Sequence, residues 1–210
     1  MADDPDLESA YALETPEDNL RLYANWAETY DADFVEATTY RFPRLVTQAY
    51  LDAGGDWPCL DVGCGTGALA QHFPDDAVVD GIDLSPEMLT VAERKKLYRK
   101  LFEANLKEPL PIADDTYAGL VSSGTFTHGH VGPEALPELV RVLAPGAVAI
   151  ITVRPEVWVE LDFAQTFEAL QADGLVNDPD IVEEIVYADP RRAPEGHGED
   201  IGLIVTFRRI

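Results

Sequence analysis

A chain of 210 residues with 46% hydrophobic and 26% charged residues has the length and composition of a folded α/β domain, which excludes wholesale disorder. Fifteen Lys and Arg against 39 Asp and Glu leave a formal net charge of −24. A field of that sign repels polyanions and anionic bilayers, so the charge argues against nucleic-acid and membrane partners and leaves room for cationic small molecules.

The opening MADDPDLESAYALE lacks the basic start and apolar stretch of a secretory signal, and the longest clean apolar run, Ala147–Val153, is far short of a membrane span. Cys59 and Cys64 lie on one strand and turn, a poor geometry for a disulfide, and have no nearby histidines to complete a zinc site. These features predict a soluble, cytoplasmic protein. The first dozen residues are expected to fray. Thr15-Pro16-Glu17-Asp18 then reads as a helix start, with Thr as N-cap, Pro at the first helical position and acids in the first turn. Leu20, Tyr23, Ala24, Ala27 and Tyr30 follow helical spacing. A second helix over Pro43–Ala53 stops at Gly54-Gly55.

Beyond Gly55 strands and helices alternate. Strands are predicted at Cys59–Gly63, Ala77–Leu84, Leu101–Leu106, Tyr117–Ser123 and Ala147–Val153, the last buried on both faces. Helices are predicted to begin at Gly67–Phe73 and to span Pro86–Leu97, Pro133–Leu143 and Val157–Ala172, with Ser85 capping the second of these. Ile181–Tyr187 and Ile201–Arg208 have no helical crossover between them and should pair as an antiparallel hairpin near a sheet edge. The prediction is a doubly wound α/β fold with a seven-stranded, mostly parallel sheet. A single domain would cover residues 1–210, with 1–55 as an N-terminal helical lid and 56–210 as the α/β core.

The main chemical signal is Leu60-Asp61-Val62-Gly63-Cys64-Gly65-Thr66-Gly67, set between a strand and a helix. Alternate glycines permit positive φ and close backbone approach, and such a turn faces the ligand crevice of an open α/β sheet. Gly63, Gly65 and Ala68 also satisfy the dinucleotide fingerprint, so an NAD(P)-binding oxidoreductase is an alternative. Asp61 weighs against it, because a carboxylate at the mouth suits a cationic, amine-bearing ligand better than a pyrophosphate.

LDVGCGTG resembles motif I of the class I S-adenosylmethionine-dependent methyltransferases, and the resemblance continues through most of residues 20–155. It implies S-adenosyl-L-methionine as cofactor, held by Asp61, Gly63, Cys64, Gly65 and Gly67. VVDGIDLSPEML resembles that family's second strand, which makes Asp83 the ribose-binding acid with Leu84 beside it; a carboxylate can accept from both ribose hydroxyls. The alternative for Asp83 is helix capping near Ser85-Pro86. Ala104-Asn105-Leu106 aligns with the adenine-binding end of the third strand, with Asn105 where the family usually has Asp, and Glu103 as a nearby alternative. Pro109-Leu110-Pro111-Ile112 resembles the family's LPF turn, while Tyr117-Ala118 departs from its usual Phe-Asp pair. LYANWAETYDADF resembles the YxxWAxxYD lead-in of small-molecule methyltransferases, by which Tyr23 and Tyr30 would close over the methionine end; the alternative is that both rings staple the helix to the core.

The loop after the fourth strand, Ser123-Gly124-Thr125-Phe126-Thr127-His128-Gly129-His130, should stand beside the glycine loop. It places Ser123 at the cofactor and offers His128 and His130 as bases near neutral pH; as alternatives, His128 orients the loop and His130 faces solvent. An HxH pair without a third ligand gives no metal site. GTFTHGHVGPEAL also resembles a subgroup related to the Williams–Beuren syndrome region methyltransferase-like proteins. No Asn-Pro-Pro-Tyr or Pro-Cys motif of nucleic-acid methyltransferases appears, and Arg94, Lys95, Lys96, Arg99 and Lys100 read as a solvated face. The resulting expectation is methyl transfer to a small-molecule acceptor, with a non-catalytic cofactor-binding module as a further alternative. The lid with Tyr23 and Tyr30 would cover the cofactor opposite the His128 loop; failing that, the Asp189–Asp200 loop would close the pocket.

Overall fold

The structure is a computed structural model that describes residues 16–210; Thr15 and the first dozen residues lie outside the described residues. Helix α1 (Pro16–Trp26), a π-helical turn (Asp31–Glu36) and helix α2 (Phe42–Asp52) precede the sheet. Then follow β1 (Cys59–Val62), a 3-10 turn (Ala70–His72), β2 (Val79–Asp83), α3 (Pro86–Lys95), β3 (Lys100–Glu103) and β4 (Tyr117–Phe126). A 3-10 turn (Pro133–Ala135) leads into α4 (Leu136–Val142), β5 (Leu143–Val153), α5 (Pro155–Glu160), α6 (Phe163–Ala172), β6 (Asp180–Ile185) and β7 (Ile201–Arg208).

The seven strands form one sheet in the order β3-β2-β1-β4-β5-β7-β6. Neighbours from β3 to β5 are parallel, and β7 runs antiparallel to both β5 and β6. The sheet is doubly wound, and alternation along β5 shows why. Ala149, Ile151 and Val153 join Leu136 and Leu139 of α4 and Phe163 and Phe167 of α6 on one face. Val148 and Ile150 meet Val46 and Tyr50 of α2 on the other. Both sets are apolar, so the strand reads as a continuous hydrophobic run.

Several elements differ from the sequence expectation. The helix expected from Gly67 is only the Ala70–His72 turn, because Phe73 turns extended (φ −74°, ψ 157°) ahead of Pro74. The helix expected over Val157–Ala172 is split at Leu161 and Asp162. Asp162 takes φ +56° and its carboxylate accepts from the Gln165 amide, which starts α6 afresh. Pro133–Leu143 divides into a 3-10 turn and α4, and Pro137, without an N–H, stands in the first turn of α4. α3 stops two residues early, at a left-handed Lys96 (φ 57°). β4 continues past Ser123 to Phe126, and this carries Thr125 to the sheet's carboxyl edge. Among the described residues no helix is long and apolar enough to cross a membrane.

Candidate functional site

The carboxyl ends of β1, β2 and β4 wall a cavity of about 150 Å³. The glycine loop forms its floor. The amides of Gly63 and Cys64 both donate to the Ile82 carbonyl, at 2.8 and 3.0 Å, which ties the loop to β2. Gly63, Gly65 and Gly67 have φ of +66°, +51° and +87°. At Gly63 a Cβ would stand 2.1 Å from Thr125 Oγ1, whereas at Gly65 it would meet open space. Gly65 therefore leaves bare backbone towards the cavity, where a ligand can lie close. From the β4 side, Ser122 and Thr125 hydroxyls donate to the Val62 carbonyl at 2.7 and 3.0 Å.

Two carboxyls stand over this floor. Asp83 accepts from the Gly65 amide at 2.8 Å and the Ser85 amide at 2.9 Å. Burial raises its pKa, and the amides of Ser85, Gly65 and Leu84 pull it back. The N-cap of α3 is Ser85, whose hydroxyl accepts from the Met88 amide, so Asp83 orients the loop and the cap without being the cap itself. Asp61 is only 1% exposed and accepts from the Tyr98 hydroxyl at 2.7 Å. Its pKa is pushed up to about 7, by burial first and by the neighbouring charge of Asp83, with Tyr98 opposing.

The N-terminal helical segment supplies the opposite wall. Tyr23 and Tyr30 both line the cavity, their rings edge to face at 6.1 Å. Asp31 accepts from the Thr66 hydroxyl of the glycine loop at 2.5 Å and pairs with Lys95, and Glu28 pairs with Arg94 at 2.6 Å. The Asp189–Asp200 loop contributes no residue to this wall.

His130 also lines the cavity. Its Nδ1 lies 2.7 Å from the His128 carbonyl, which can only accept, so Nδ1 carries the proton. Nε2 of the neutral ring is then an acceptor, 3.0 Å from the Tyr23 hydroxyl. Burial lowers the His130 pKa, which keeps Nε2 unprotonated at neutral pH.

Of the residues singled out in the sequence, the structure gathers Tyr23, Tyr30, Asp61, Gly63, Cys64 and Gly65 around this space, with Asp83, Leu84, Asn105, Ser123 and His130. Three are not brought in. Gly67 faces the Tyr98 ring, 3.1 Å from where its Cβ would be. Leu106 is buried in the core and does not line the cavity. The His128 side chain turns to Glu160, 3.6 Å away, and its contribution is the carbonyl that orients His130. Sequence reasoning missed Tyr98 and Tyr40. Tyr98 lies in no motif, and its signal is the paired small residues Gly67 and Gly81 that make room for its ring. Tyr40 lines the cavity with its hydroxyl 3.4 Å from Ser123 Oγ.

Residues 60–151 match the family model described as a methyltransferase domain. Residues 60–151 thus form a methyltransferase domain. Its cofactor is S-adenosyl-L-methionine, and the donor set fits that molecule: a buried carboxyl without a cationic partner among the described residues, a second carboxyl at the next strand tip, and bare glycine backbone between them. The chain is 35% identical over 153 residues to methyltransferase-like protein 27 of Homo sapiens, covering 70% of this chain and 62% of that protein. The human relative agrees with the subgroup resemblance noted in the sequence. The present chain is 40% identical over 95 residues to a demethylmenaquinone methyltransferase of Chlorobaculum parvum, covering 44% of this chain and 39% of that one. The chain thus spans less than two thirds of the length of these curated relatives. Among solved structures, the fold is shared with a possible histamine N-methyltransferase of Thermotoga maritima (TM-score 0.64, 14% identity, 90% and 98% of the two chains). It is also shared with the Haloferax volcanii complex of the Trm112 methyltransferase activator and a putative methyltransferase (TM-score 0.62, 18% identity, 89% and 96%). Among the described residues no group of three or more His, Cys, Asp or Glu could hold a metal ion.

Proposed function

We propose that this domain transfers the methyl group of S-adenosyl-L-methionine to a small-molecule acceptor, with His130 as general base. The observation that carries the reading is the convergence of Asp61, Asp83 and the His130 Nε2 edge on one cavity beneath the Tyr23–Tyr30 lid. The cofactor supplies an electrophilic methyl on a sulfonium sulfur. Every other task falls to the chain. Asp61 binds the amine end as its carboxylate, and Asp83 accepts from the ribose hydroxyls. Asn105 faces the adenine. Ser123 and the bare loop at Gly63, Cys64 and Gly65 shape the floor. Tyr23 and Tyr30 exclude water from the methyl group. His130, fixed in one tautomer by the His128 carbonyl, accepts the acceptor's proton at Nε2 once the acceptor hydroxyl has displaced the Tyr23 hydroxyl from that lone pair.

A small acceptor is favoured by the ties that hold the lid down, from Asp31 to Thr66 and Lys95 and from Glu28 to Arg94. The net charge of −24 disfavours nucleic-acid and bilayer partners, and the free thiols of Cys59 and Cys64 suit a reducing cytoplasm. Calorimetric titration with S-adenosylhomocysteine and, separately, NADH tests the reading. S-adenosylhomocysteine should bind and raise the melting temperature. Asp83→Ala should weaken it by more than about tenfold, since charge-assisted hydrogen bonds are worth about 1.5–3 kcal/mol each. Binding of NADH alone would replace this reading with a dinucleotide-dependent one.

A further inference from the structure

A second cavity, of about 70 Å³, shares Tyr23, Tyr30, Tyr40, Gly124 and His130 with the cofactor cavity. Its remaining walls include five aromatic rings: Trp26, Phe34, Phe42, Phe126 and Tyr187. The rings are locked edge to face or tilted, Trp26 on Phe34 at 5.8 Å, Phe34 on Tyr40 at 5.2 Å, and Tyr40 on Phe42 and Tyr187 at 5.7 and 6.3 Å. Such walls hold a flat apolar ring with little loss of side-chain entropy. Two residues of the lining carry unmatched polar atoms. Trp26 Nε1 and Thr127 Oγ1 are fully buried and, among the described residues, have no hydrogen-bond partner. A buried polar group left unmatched costs about 1–3 kcal/mol, so two on one cavity call for an explanation.

Each feature narrows the occupant. Trp26 Nε1 can only donate, so it needs an acceptor atom, which excludes a ligand that presents only ammonium hydrogens. Arg154 reaches the cavity, but its guanidinium is engaged by Asp200 at 2.8 Å and Glu156 at 3.4 Å, so no net positive charge awaits a carboxylate. The occupant is therefore uncharged. A cavity of roughly 150 Å³ holds benzene, and this one is about half that. A single ring must therefore project into the space shared with Tyr23, Tyr40 and His130, on the side where the methyl group is delivered.

We propose that this second cavity is the acceptor site, and that the acceptor is an uncharged single-ring aromatic hydroxyl compound bearing a second oxygen. The second oxygen meets Trp26 Nε1 and Thr127 Oγ1, and the reacting hydroxyl lies at His130. This assignment rests on the methyl-transfer reading above. In the reaction the acceptor's oxygen forms a C–O bond as the bond between sulfonium sulfur and methyl breaks, with the electron pair left on sulfur. The hydroxyl proton passes to His130 Nε2 and then to water, so the products are an aryl methyl ether and a neutral thioether.

The test uses the full chain saturated with S-adenosylhomocysteine, titrated calorimetrically with catechol, phenol, benzoate and benzylamine, and in parallel a methylation assay on the same four. Catechol should bind tightest and be methylated, phenol more weakly, and benzoate and benzylamine not at all. Thr127→Val, close in shape, should weaken catechol by about fivefold, as for one lost hydrogen bond, while leaving phenol and S-adenosylhomocysteine unchanged. Trp26→Phe should act on catechol in the same direction. Preference for benzoate or benzylamine, binding of none of the four, or equal weakening of phenol and catechol by Thr127→Val overturns the assignment. Failure of S-adenosylhomocysteine itself to bind would instead overturn the methyl-transfer reading.

Discussion

Asp61 and Asp80 stand on adjacent strands, each 1% exposed, and they have opposite surroundings. Asp80 is held by both Nε and NH2 of Arg99, at 2.9 and 2.7 Å, and by the Tyr117 hydroxyl at 2.8 Å. Asp61 has the Tyr98 hydroxyl and, in place of a cation, a second carboxyl at Asp83. Tyr98 and Arg99 are consecutive residues, so one loop ahead of β3 serves both acids and gives the cation to only one. A buried carboxylate with its cation supplied by the chain is complete. One without a cation waits for the ligand to bring it, and this difference marks Asp61 as the binding group and Asp80 as a structural one.

The largest expected effect separates the two acids by substitution. Asp80→Asn should cost about 2–3 kcal/mol of stability, because it strips a bidentate guanidinium and a buried tyrosine of their charged partner. The cost stays moderate because the Arg99 side chain is 45% exposed and rehydrates. S-adenosylhomocysteine affinity should stay within about twofold. Asp61→Asn should do the reverse, leaving denaturant melts near the parent and weakening S-adenosylhomocysteine by more than about tenfold. An Asp80→Asn protein that folds normally but loses cofactor would erase the distinction.

A somewhat smaller effect is expected from pH. In the free protein the Asp61 carboxyl titrates at about 7, so it is mostly protonated at pH 6. The unfolded chain ionises this group near pH ~4, so between about 4 and 7 the native state binds the extra proton. By that sign the group's contribution to stability is full at acid pH and is lost as pH rises through about 7. Pairing with a cationic amine reverses the balance, because binding requires the ionised form and expels the proton. Affinity should therefore rise about tenfold per unit below pH 7 and flatten above it. Calorimetry in buffers of different ionisation enthalpy would show one proton released per ligand at pH 6. Flat affinity from pH 5.5 to 7.5 would mean that Asp61 is already ionised or does not meet the amine.

The sequence made the mostly parallel sheet and the floor of the site legible because both depend on local rules. Three alternate glycines after an apolar run, an acid at the next strand tip and a β-branched central strand each have one structural use. The antiparallel pairing of β6 and β7 followed from the missing crossover. What stayed hidden depends on partners far along the chain. The glycine motif singles out Asp61, but the structural role of Asp80 depends on which of Tyr98 and Arg99 faces each acid. His128 and His130 look equivalent in sequence, yet the loop turns one to Glu160 and the other to Tyr23, 107 residues away. The break at Asp162 was hidden for the opposite reason: a single left-handed residue overrode an uninterrupted helical pattern.

The smallest expected effect sharpens the comparison most, because it alters the surroundings of Asp61 without touching either acid. Tyr98→Phe removes one hydroxyl and keeps the ring that fills the space beside Gly67 and Gly81. Packing should survive, with a stability change of about 1 kcal/mol or less. The hydroxyl donates to Asp61 and favours its charged form, so its loss should move the ionisation of Asp61 further above 7. At pH 7 less of the protein would hold the carboxylate, and S-adenosylhomocysteine should bind about threefold more weakly. The signature is the shape of the change: the affinity–pH curve shifts upward in pH and the alkaline plateau is kept. A structural role for Tyr98 would lower the plateau and leave the midpoint where it is. That outcome would show that Asp61 is set by packing, and the contrast with Asp80 would then rest on the missing cation alone.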